Sequence, residues 1–487
     1  MTTAQLRCAD APELTITGEG ERPEALWLEG PRARVDATLT GRGRTWRARV
    51  PLTAARWGGA RLPLPSGAYE VRVRWAGRDA EAVVSDSVPL TVGTALRAQL
   101  DGEAGRLAVG PPVDPVYDSG EGQDALERRY AAGAGPLENA VFFESFYGRS
   151  ASCNPLAIDR ELARVAPEVT RYWSVVDLSV EVPPGAVPVV EASPEWWRAR
   201  GQARLLVVND WLRRRFSRRP GQRVVQTWHG TPLKRLALHR PGFDPRRMIA
   251  VVREGRRWDV LLAANPYAAN ILRKAYAFLT RPIWVEGYPR NDVLVTGDGA
   301  DIRRALGIRA DERVLLYAPT WRDDRALMVD FVDPATLARD ADAVVLVRGH
   351  SRTLIPGRDV DGPRVIDVTG YPDISRLLLV ADALITDYSS VMFDFAVTGK
   401  PMYFLVPDLE HYRGELRGFY FDLVERAPGP VVRTQDELAA ALGDSDLPGL
   451  FGARYTAWQR AFTAREDGRA AERVVARLLD QGFIGRD

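Results

Sequence analysis

The chain has 487 residues, of which 46% are hydrophobic and 27% are charged, and its formal net charge at pH 7 is +2. These values are typical of a soluble globular protein with about two to four domains, and so small a net charge argues against a general nucleic-acid-binding protein. No apolar run approaches the roughly 20 residues that a membrane-spanning helix needs, so any contact with a membrane is expected to be peripheral.

Two features bear on the cellular compartment. The only cysteines, Cys8 and Cys153, form neither a CxxC pair nor a disulfide framework, which fits a reducing compartment. The first residues, MTTAQLRCADAPEL, lack the basic segment followed by an apolar segment that marks a secretory signal. We therefore expect a cytoplasmic protein.

The N-terminal part of the sequence predicts an all-β domain. Residues 12–110 contain stretches of alternating apolar and polar residues, such as LTITG and YEVRVRW, separated by Gly and Pro turns. This pattern is typical of a small β-sandwich, and we predict a sandwich-like accessory domain over residues 1–110, a docking or spacer module rather than a catalytic one. Residues 111–137 predict a linker with one short helical piece around Ala125–Ala131.

From there on, strands alternate with helices. NAVFFES, TRYWSVVD and ARLLVVND are apolar strands, and Asn154 followed by Pro155 predicts a helix start with Asn154 as its N-cap. A second run of the same kind follows and ends in amphipathic helices. Apolar strands flanked by helices predict parallel sheets covered on both faces. The sequence therefore predicts two Rossmann-like domains, 138–300 and 301–487, which face each other across a cleft.

One of the chain's four histidines, His229, follows the strand RVVQTW in the segment HGTP. Ligands of open α/β sheets bind beyond the carboxyl ends of the strands. An imidazole, with an ordinary pKa of about 6.5, can accept a proton there near neutral pH. The pattern fits a general base, but from position alone it favours a core histidine that is hydrogen-bonded at a strand end.

Two further strand ends carry residues suited to an anion. His350 lies in the segment RGHSR after the strand AVVLVRG, where arginines, an imidazole and a hydroxyl suit an anion, although a solvated charge run explains the same pattern. Ser389 and Ser390 follow the strand ALIT and open a helix. Serines at a helix start can cap the helix or hold phosphate oxygens.

The segments GYPRND and YAPTWRDD also follow predicted strands. Arg290, in the first, is a candidate to reach a ligand phosphate, and Thr320, in the second, is a candidate contact of a nucleotide or its phosphates. Asp323 and Asp324 resemble a metal-binding pair, but no further carboxylates accompany them. We therefore predict no metal site.

The basic run WLRRRFSRRP, residues 211–220, leaves two interpretations open. It can rest on anionic lipid, or it can be a solvated basic turn. Several catalytic motifs are absent from the sequence: GxxxxGK[ST], a complete GxGxxG, HExxH and GxSxG. Their absence argues against a P-loop ATPase, a dehydrogenase, a zinc protease and an α/β-hydrolase.

Taken together, these segments resemble the CDP-glycerol glycerophosphotransferase family, the teichoic acid polymerases. The resemblance covers residues 138–480 in consistent order, and residues 1–137 lie outside it. The matching segments include FESFYGRSASCNP, QTWHGTPLKRL, WDVLLAANPYAA, GYPRND, YAPTWRDD, RGH, PDISRLLLVADALITDYSSVMFDFAVTGKPMYFLVPDLEHYRGELRGFYFD and EDGRAAERV.

The resemblance implies a GT-B-type architecture, with an acceptor-side domain followed by a nucleotide-donor-binding domain. It implies transfer of glycerol phosphate, or a related alditol phosphate, from CDP-glycerol to a hydroxyl of a teichoic-acid-like or capsular polymer, with release of CMP. The implied acceptor is polymeric or lipid-linked, and no nucleic acid is involved. A peripheral position on the anionic inner face of the cell membrane would bring the enzyme to such an acceptor.

At the matching positions, the resemblance implies that His229 is the catalytic base. The residues implied to hold the donor diphosphate are His350, Ser389, Ser390, Arg290 and Arg413. Thr320 and Asp387 are implied to lie near the donor nucleotide. Phosphoryl transfer needs alignment and charge compensation more than covalent help. We therefore predict no obligatory metal or other cofactor, with the CDP-alditol as donor substrate.

Two other functions stay open at this point, because a fold does not determine a function. A GT-B glycosyltransferase would use a nucleotide sugar and release UDP or GDP instead of CMP. A non-catalytic polymer- or nucleotide-binding scaffold would bind CDP tightly without turnover.

Overall fold

The structure is a computed structural model. It describes residues 2–42, 44–82, 84–133, 135–320, 331–349, 362–411 and 418–485. Of the residues discussed above, His350, Arg413 and the Asp323–Asp324 pair lie outside the described residues.

The N-terminal domain is built from antiparallel strands only. In β2 and β6 alternate residues such as Leu14, Ile16 and Val50 are fully buried, because side chains on a strand point to opposite faces and one face covers the core. The predicted all-β N-terminal domain is confirmed. The strands are β1 Thr2–Arg7, β2 Glu13–Glu19, β3 Ala25–Glu29, β4 Arg34–Asp36, β5 Thr38–Arg42, β6 Thr45–Pro51, β7 Thr53–Ala55, β8 Arg61–Pro63, β9 Gly67–Trp75, β10 Arg78–Glu81, β11 Val88–Val92, β12 Arg97–Asp101 and β13 Arg106–Gly110.

Two sheets face each other across this core. One has the order β1-β2-β6-β5, and the other has the order β11-β12-β13-β9-β3-β4, with β10 paired to β9. Strands β7 and β8 form a separate two-stranded hairpin.

The segment between the β domain and the first sheet is more ordered than a linker. A 3-10 turn at Pro115–Asp118 leads into helix α1, Gly120–Ala131, which is longer than the short piece predicted. Gln123 donates to the Ala192 carbonyl at 2.9 Å, and Tyr130 lies in the core of the first α/β domain. These contacts fix the segment on that domain.

The first α/β domain contains a parallel sheet with the order β16-β15-β14-β17-β18-β19-β20. Phe142 and Phe143 are neighbours in β14 and lie in separate hydrophobic cores, because helices cover both faces of the sheet. The strands are β14 Glu138–Glu144, β15 Thr170–Val175, β16 Val187–Val190, β17 Ala203–Val208, β18 Arg223–Gln226, β19 Val260–Ala263 and β20 Ile283–Val285; the helices are α2 Cys153–Val165, α3 Pro194–Gln202, α4 Pro245–Gly255 and α5 Pro266–Ala275.

The second α/β domain repeats this plan with the sheet order β23-β22-β21-β24-β25-β26. Leu315 and Leu316 of β21 again lie in different cores. The elements of this half of the chain are α6 Asp292–Thr296, α7 Ala300–Ala305, β21 Arg313–Tyr317, α8 Pro334–Asp340, β22 Ala343–Val347, β23 Val365–Asp367, α9 Ile374–Val380, β24 Ala383–Thr386, α10 Val391–Phe395, β25 Met402–Leu405, α11 Leu409–His411, α12 Leu423–Arg426, β26 Val431–Val432, α13 Gln435–Gly443, α14 Leu447–Leu450, α15 Gly452–Phe462 and α16 Ala470–Asp480.

The prediction of Asn154 as an N-cap is wrong. Helix α2 begins at Cys153, after Ser152, and Asn154 lies inside its first turn with a fully buried side chain. The Asn154 amide instead donates to the carbonyls of Thr227 and Trp228, at 3.2 and 3.1 Å. Its hydrogen bonds therefore hold another segment rather than the helix start.

The chain crosses between the two α/β domains more than the predicted division allows. Leu294, placed in the domain 138–300, lies in the core of the second α/β domain. Val474 and Leu478 of α16, placed in the domain 301–487, pack in the core of the first. The apolar stripe of α16 predicts a helix, but not which sheet the helix covers.

Candidate active site

The candidate residues gather at the carboxyl ends of both parallel sheets. In strand order along each domain, both sheets read 3-2-1-4-5-6, with one additional strand in the first. Connections diverge between strands 1 and 4, which opens a crevice at that edge. His229 follows β18 and Asn209 follows β17 in the first domain, whereas Thr320 follows β21 and Asp387 follows β24 in the second.

His229 is held by a hydrogen bond to a backbone carbonyl. Its Nδ1 lies 2.6 Å from the Asn209 carbonyl oxygen. Because a carbonyl only accepts, Nδ1 carries the proton and donates it, so the lone pair of the neutral ring is on Nε2. Within the described part of the chain, Nε2 has no hydrogen-bond partner. The ring stacks on Trp228, with centroids 5.1 Å apart, and meets the edge of Phe146 at 5.6 Å.

The surroundings of His229 favour its neutral form. Burial lowers the pKa of His229 below its ordinary value of 6.5, and the charge of Arg290 lowers it further. The carboxylates of Asp210 and Asp394 and the hydrogen bond to Asn209 act in the opposite direction without reversing the shift. The imidazole is therefore uncharged at neutral pH and able to accept a proton.

The backbone around His229 is strained. Trp228, Phe146, Tyr147 and Cys153 all have positive φ angles, between 46° and 64°. Such a conformation costs a non-glycine residue about 1–3 kcal/mol, so the surrounding hydrogen bonds must hold it. Asn154 supplies two of these bonds to the loop after β18, and its Oδ1 accepts from the backbone N–H of Arg290 at 3.2 Å.

A carboxylate that the sequence did not single out lies next to His229. Asp210 accepts a hydrogen bond from the Tyr147 hydroxyl at 2.7 Å and from the backbone N–H of Trp211 at 2.8 Å. It is partly exposed, and its charge raises the pKa of His229. The Asn209 amide nitrogen is buried and has no partner among the described residues.

The loop of His229 touches the second α/β domain at Ser390. A Cβ atom added at Gly230 would lie 2.7 Å from Ser390 Oγ and 3.1 Å from its Cβ, so only glycine permits this approach. Ser390 occupies the N-cap position of α10 but makes no side-chain cap hydrogen bond, whereas Ser389 Oγ accepts from the Val391 N–H at 3.5 Å. Helix capping therefore does not account for the Ser390 hydroxyl.

Thr320 and Asp387 are joined to each other. The Asp387 carboxylate accepts from the Thr320 N–H, at 2.8 and 3.0 Å to its two oxygens. Lys234 reaches across from the first α/β domain and donates to Thr320 Oγ1 at 3.2 Å. This hydrogen bond to Asp387 orders the segment after β21. It is separate from the nucleotide contact that the sequence predicts for the two residues.

Arg290 is engaged with a buried carboxylate. Its guanidinium donates to Asp394 in α10 at 2.7 Å and to the Cys153 sulfur at 3.3 Å. Asn291 donates to the other Asp394 oxygen at 2.9 Å. Burial opposes the charge of Arg290, but Asp394, Cys153 and Tyr288 together outweigh that effect, and the pKa of Arg290 is raised. The pair ties the first α/β domain to α10, directly after Ser389 and Ser390.

The structure therefore brings some of the predicted site residues together. The His229 loop meets Ser390, Thr320 bonds Asp387, and Arg290 reaches α10 through Asp394. The described residues contain no group of three or more His, Cys, Asp and Glu residues that could hold a metal ion. The roles assigned to individual residues stay predictions.

Sequence reasoning missed four residues that shape the site. Asn209 and Asp210 end the strand ARLLVVND, so the strand-end criterion that selected His229 would have found them. Asn154 was taken for a cap, and Asp394 lies within the apolar helix VMFDF, where nothing in the pattern marks it.

Two Rossmann-type domains that meet at their carboxyl edges, with the Gly230 loop of one against Ser390 of the other, are the architecture of a GT-B-type protein. The model of the CDP-glycerol:poly(glycerophosphate) glycerophosphotransferase family matches residues 135–480. The chain belongs to this family, and the predicted family, enzyme class and GT-B-type architecture are confirmed.

Individual relatives agree with this assignment. The teichoic acid poly(glycerol phosphate) polymerase of Bacillus subtilis (strain 168) is 38% identical over 364 residues, which are 69% of this chain and 48% of that protein. The teichoic acid glycerol-phosphate transferase of Staphylococcus aureus (strain NCTC 8325 / PS 47) is 35% identical over 381 residues, 71% of this chain and 94% of that protein. The chain thus spans about half of the first relative and nearly all of the second.

Solved structures give the same result. A structure of the wall teichoic acid polymerase TagF, a histidine variant with CDPG, superposes with a TM-score of 0.68 at 31% identity, covering 76% of this chain and 95% of that one.

Every helix within the described ranges is too short or too polar to span a lipid bilayer.

Proposed function

We propose that the protein transfers glycerol phosphate from CDP-glycerol to a hydroxyl of a teichoic-acid-type polymer and releases CMP. Glycerol is favoured over ribitol because the glycerol-phosphate relatives reach 38% and 35% identity, whereas a ribitol-phosphate primase and a ribitol-phosphate polymerase reach 26% and 27%. The acceptor is polymeric or lipid-linked, as predicted.

His229 is the general base of this reaction. Its Nε2 removes the proton from the acceptor hydroxyl while that oxygen attacks the phosphorus that bears glycerol. The bond from this phosphorus to the bridging oxygen breaks, and CMP leaves with the bridging oxygen. The observation that carries this proposal is the hydrogen bond from His229 Nδ1 to the Asn209 carbonyl, because it leaves Nε2 as the atom that accepts the proton.

The second α/β domain binds the donor diphosphate. Ser390 lies against Gly230, next to His229, so a phosphate held by its hydroxyl would lie beside the base. Ser389 adds a second hydroxyl, and His350 and Arg413 are retained as predicted diphosphate ligands. Arg290 acts through Asp394 and α10 rather than by direct contact, which revises its predicted role. Thr320 and Asp387 shape the nucleotide side.

The protein binds to an anionic membrane surface through α4 and Phe243, which lies just before this helix. Phe243 is 85% exposed and Ile249 is 68% exposed, and Arg246 and Arg253 are exposed beside them. Apolar side chains bordered by arginines suit the interface of an anionic bilayer.

The basic run 211–220 is a poorer candidate for this contact. Arg213 and Arg214 pair with Glu191, and Arg218 pairs with Asp259. Side chains held in these ion pairs are not available to lipid headgroups.

A donor panel tests the proposed reaction. We expect the protein to release CMP from CDP-glycerol in the presence of a short glycerol-phosphate acceptor, and mass spectrometry to show acceptor products longer by glycerol phosphate units. CDP-ribitol is the matched donor and should react more slowly. Release of UDP or GDP from nucleotide sugars, with no CMP from CDP-glycerol, would instead identify a glycosyltransferase.

A further inference from the structure

The hairpin of β7 and β8 extends from the N-terminal β domain with a tight turn at its tip. Trp57 and Gly58 have φ angles of +54° and +72°, and the Gly59 N–H donates to the Arg56 carbonyl at 2.9 Å. The family match begins only at residue 135, so family membership assigns no role to this hairpin.

The tip packs on the second α/β domain. The Trp57 ring meets the Tyr371 ring edge-on, with centroids 5.5 Å apart, and Trp57 packs against the core of that domain. A Cβ atom at Gly370 would lie 3.3 Å from the Arg56 guanidinium, and one at Gly58 would lie 3.2 Å from the Ala305 side chain. The tip therefore fits closely against this domain.

The same β domain is anchored on the first α/β domain. Asp177, which is 2% exposed, accepts from the Ser66 N–H at 2.8 Å and pairs with Arg32 at 3.8 Å. A Cβ atom at Gly59 would lie 2.7 Å from a carboxylate oxygen of Glu181. The β domain thus bridges the two halves of the GT-B core.

The segment that Trp57 contacts also holds the end of β22. The carbonyls of Val368 and Tyr371 accept from the Arg348 guanidinium at 3.3 and 2.8 Å, and Thr369 Oγ1 accepts from the Gly349 N–H at 2.9 Å. The carboxyl end of a parallel strand is where an α/β sheet binds its ligand. Trp57 therefore contacts the donor-side crevice through one intervening layer, residues 368–371.

We propose that Trp57 is a positioning residue for the donor site, and that the β domain is a brace holding the segment 368–371, and through it Arg348 and Gly349, in the geometry that binds a nucleoside diphosphate donor. The identity of this donor rests on the proposed function. The brace itself rests on the contacts of Trp57, Gly58 and Arg56 alone.

Hydrogen exchange on the full chain tests the brace without any substrate. We expect Trp57→Ala to speed amide exchange in peptides covering residues 343–349 and 365–371. Trp75→Ala is the matched control, because Trp75 is equally half-buried but packs against the core of the β domain itself. If Trp57→Ala does not fold, Trp57→Leu takes its place, since it keeps an apolar side chain and removes the ring contact.

Kinetics then test the link to the donor. We expect Trp57→Ala to raise the KM for CDP-glycerol about 2- to 10-fold, the range expected for losing one aromatic contact, with kcat nearly unchanged and Trp57→Phe recovering most of the loss. Unchanged exchange in 365–371, or equal effects of Trp75→Ala, would overturn the brace. No CMP release by the wild type would contradict the proposed function instead, and the exchange measurement would still decide on the brace.

Discussion

At the scale of single residues, the chemistry of His229 depends on its neighbours more than on its own identity. The Asn209 carbonyl fixes the proton on Nδ1 of His229, and the backbone of the preceding residue, Trp228, has a strained positive φ angle. Such strain is stable only where surrounding contacts hold it, and here Asn154 does so through two carbonyls. The imidazole is thereby oriented before any substrate binds.

The pH dependence of catalysis follows from the same surroundings. Since burial lowers the pKa of His229 below 6.5, and only the neutral ring accepts a proton, kcat/KM should fall as the pH drops through a value below 6.5. The carboxylate of Asp210 raises this pKa, so Asp210→Asn should move the acid limb to still lower pH.

The measurement is a kcat/KM profile for CDP-glycerol between pH 4.5 and 8. Asp36→Asn, on the exposed surface of the β domain, is the control and should leave the limb in place. An acid limb that does not move in Asp210→Asn would refute this role of Asp210.

Single residues also show where sequence reasoning reaches its limit. His229 could be selected because a polar residue after an apolar strand lies at the ligand edge of a sheet. The Asn209 carbonyl that orients His229 could not be selected from the sequence, because every residue has a carbonyl and only the fold decides which one lies near the ring. The prediction for Asn154 was wrong for a related reason. Asparagine suits a helix cap, but in the fold its amide donates to the Thr227 carbonyl instead.

At the scale of elements, one short helix links the two α/β domains. Helix α10 begins after Ser390 and carries Asp394, which receives Arg290 and Asn291 from the opposite domain. Lys234 and Phe419 form an antiparallel bridge between the same two domains. Ser390 is therefore fixed relative to His229 from both sides.

Breaking the buried pair should destabilise the protein strongly. Asp394→Ala leaves the buried Arg290 charge without its carboxylate, which costs about 3–5 kcal/mol in the apparent free energy of unfolding. Glu472→Ala removes the exposed pair of Arg469 and Glu472, which solvent screens, and should cost far less. Urea unfolding of both variants measures the difference, and equal losses would show that the buried pair does not hold the domains.

The elements themselves were largely predictable. Continuous apolar stretches such as ARLLVV and RVLLY became buried parallel strands, since both faces of each sheet are covered. Helix α1 is longer than predicted because its polar sequence shows a weak apolar pattern, and its packing on the first α/β domain comes from Gln123 and Tyr130. Asp394 was not predicted as a site residue, because a carboxylate in an apolar helix is explained only by its ion pair with Arg290.

At the scale of the whole molecule, the chain is more interwoven than its linear order indicates. Helix α16 packs on the first α/β domain although it follows the second in sequence. The β domain contacts both α/β domains. The alternation of strands and helices in the sequence predicted the two Rossmann-like domains. It does not indicate which helix packs on the domain that precedes it in the chain. The packing of each helix depends on which sheet its apolar face contacts in the folded chain.

Membrane binding is a property of the whole surface and can be tested as such. The double variant Phe243→Ser/Ile249→Ser should reduce cosedimentation with vesicles containing anionic phospholipid, because it removes two exposed apolar anchors bordered by arginines. Each anchor contributes up to roughly 1.5–3 kcal/mol if fully buried, and about 1.4 kcal/mol is tenfold in affinity. Partial burial of the two side chains therefore predicts a loss of about tenfold.

Leu450→Ser is the matched control, because Leu450 is 79% exposed on a different element. It should not change sedimentation, and vesicles of neutral lipid should retain little of the wild type. An equal loss in Leu450→Ser would contradict the assignment of α4 as the membrane contact.

The central claim, that His229 Nε2 takes the acceptor proton, is tested most directly by single-turnover release of CMP from CDP-glycerol by His229→Ala. We expect the rate to fall about 10²- to 10⁴-fold, the contribution of a general base, with binding of CDP-glycerol retained. His239→Ala, which removes an imidazole bonded to the Tyr420 hydroxyl, should lose far less. A folded His229→Ala variant that releases CMP at nearly the wild-type rate would contradict the account.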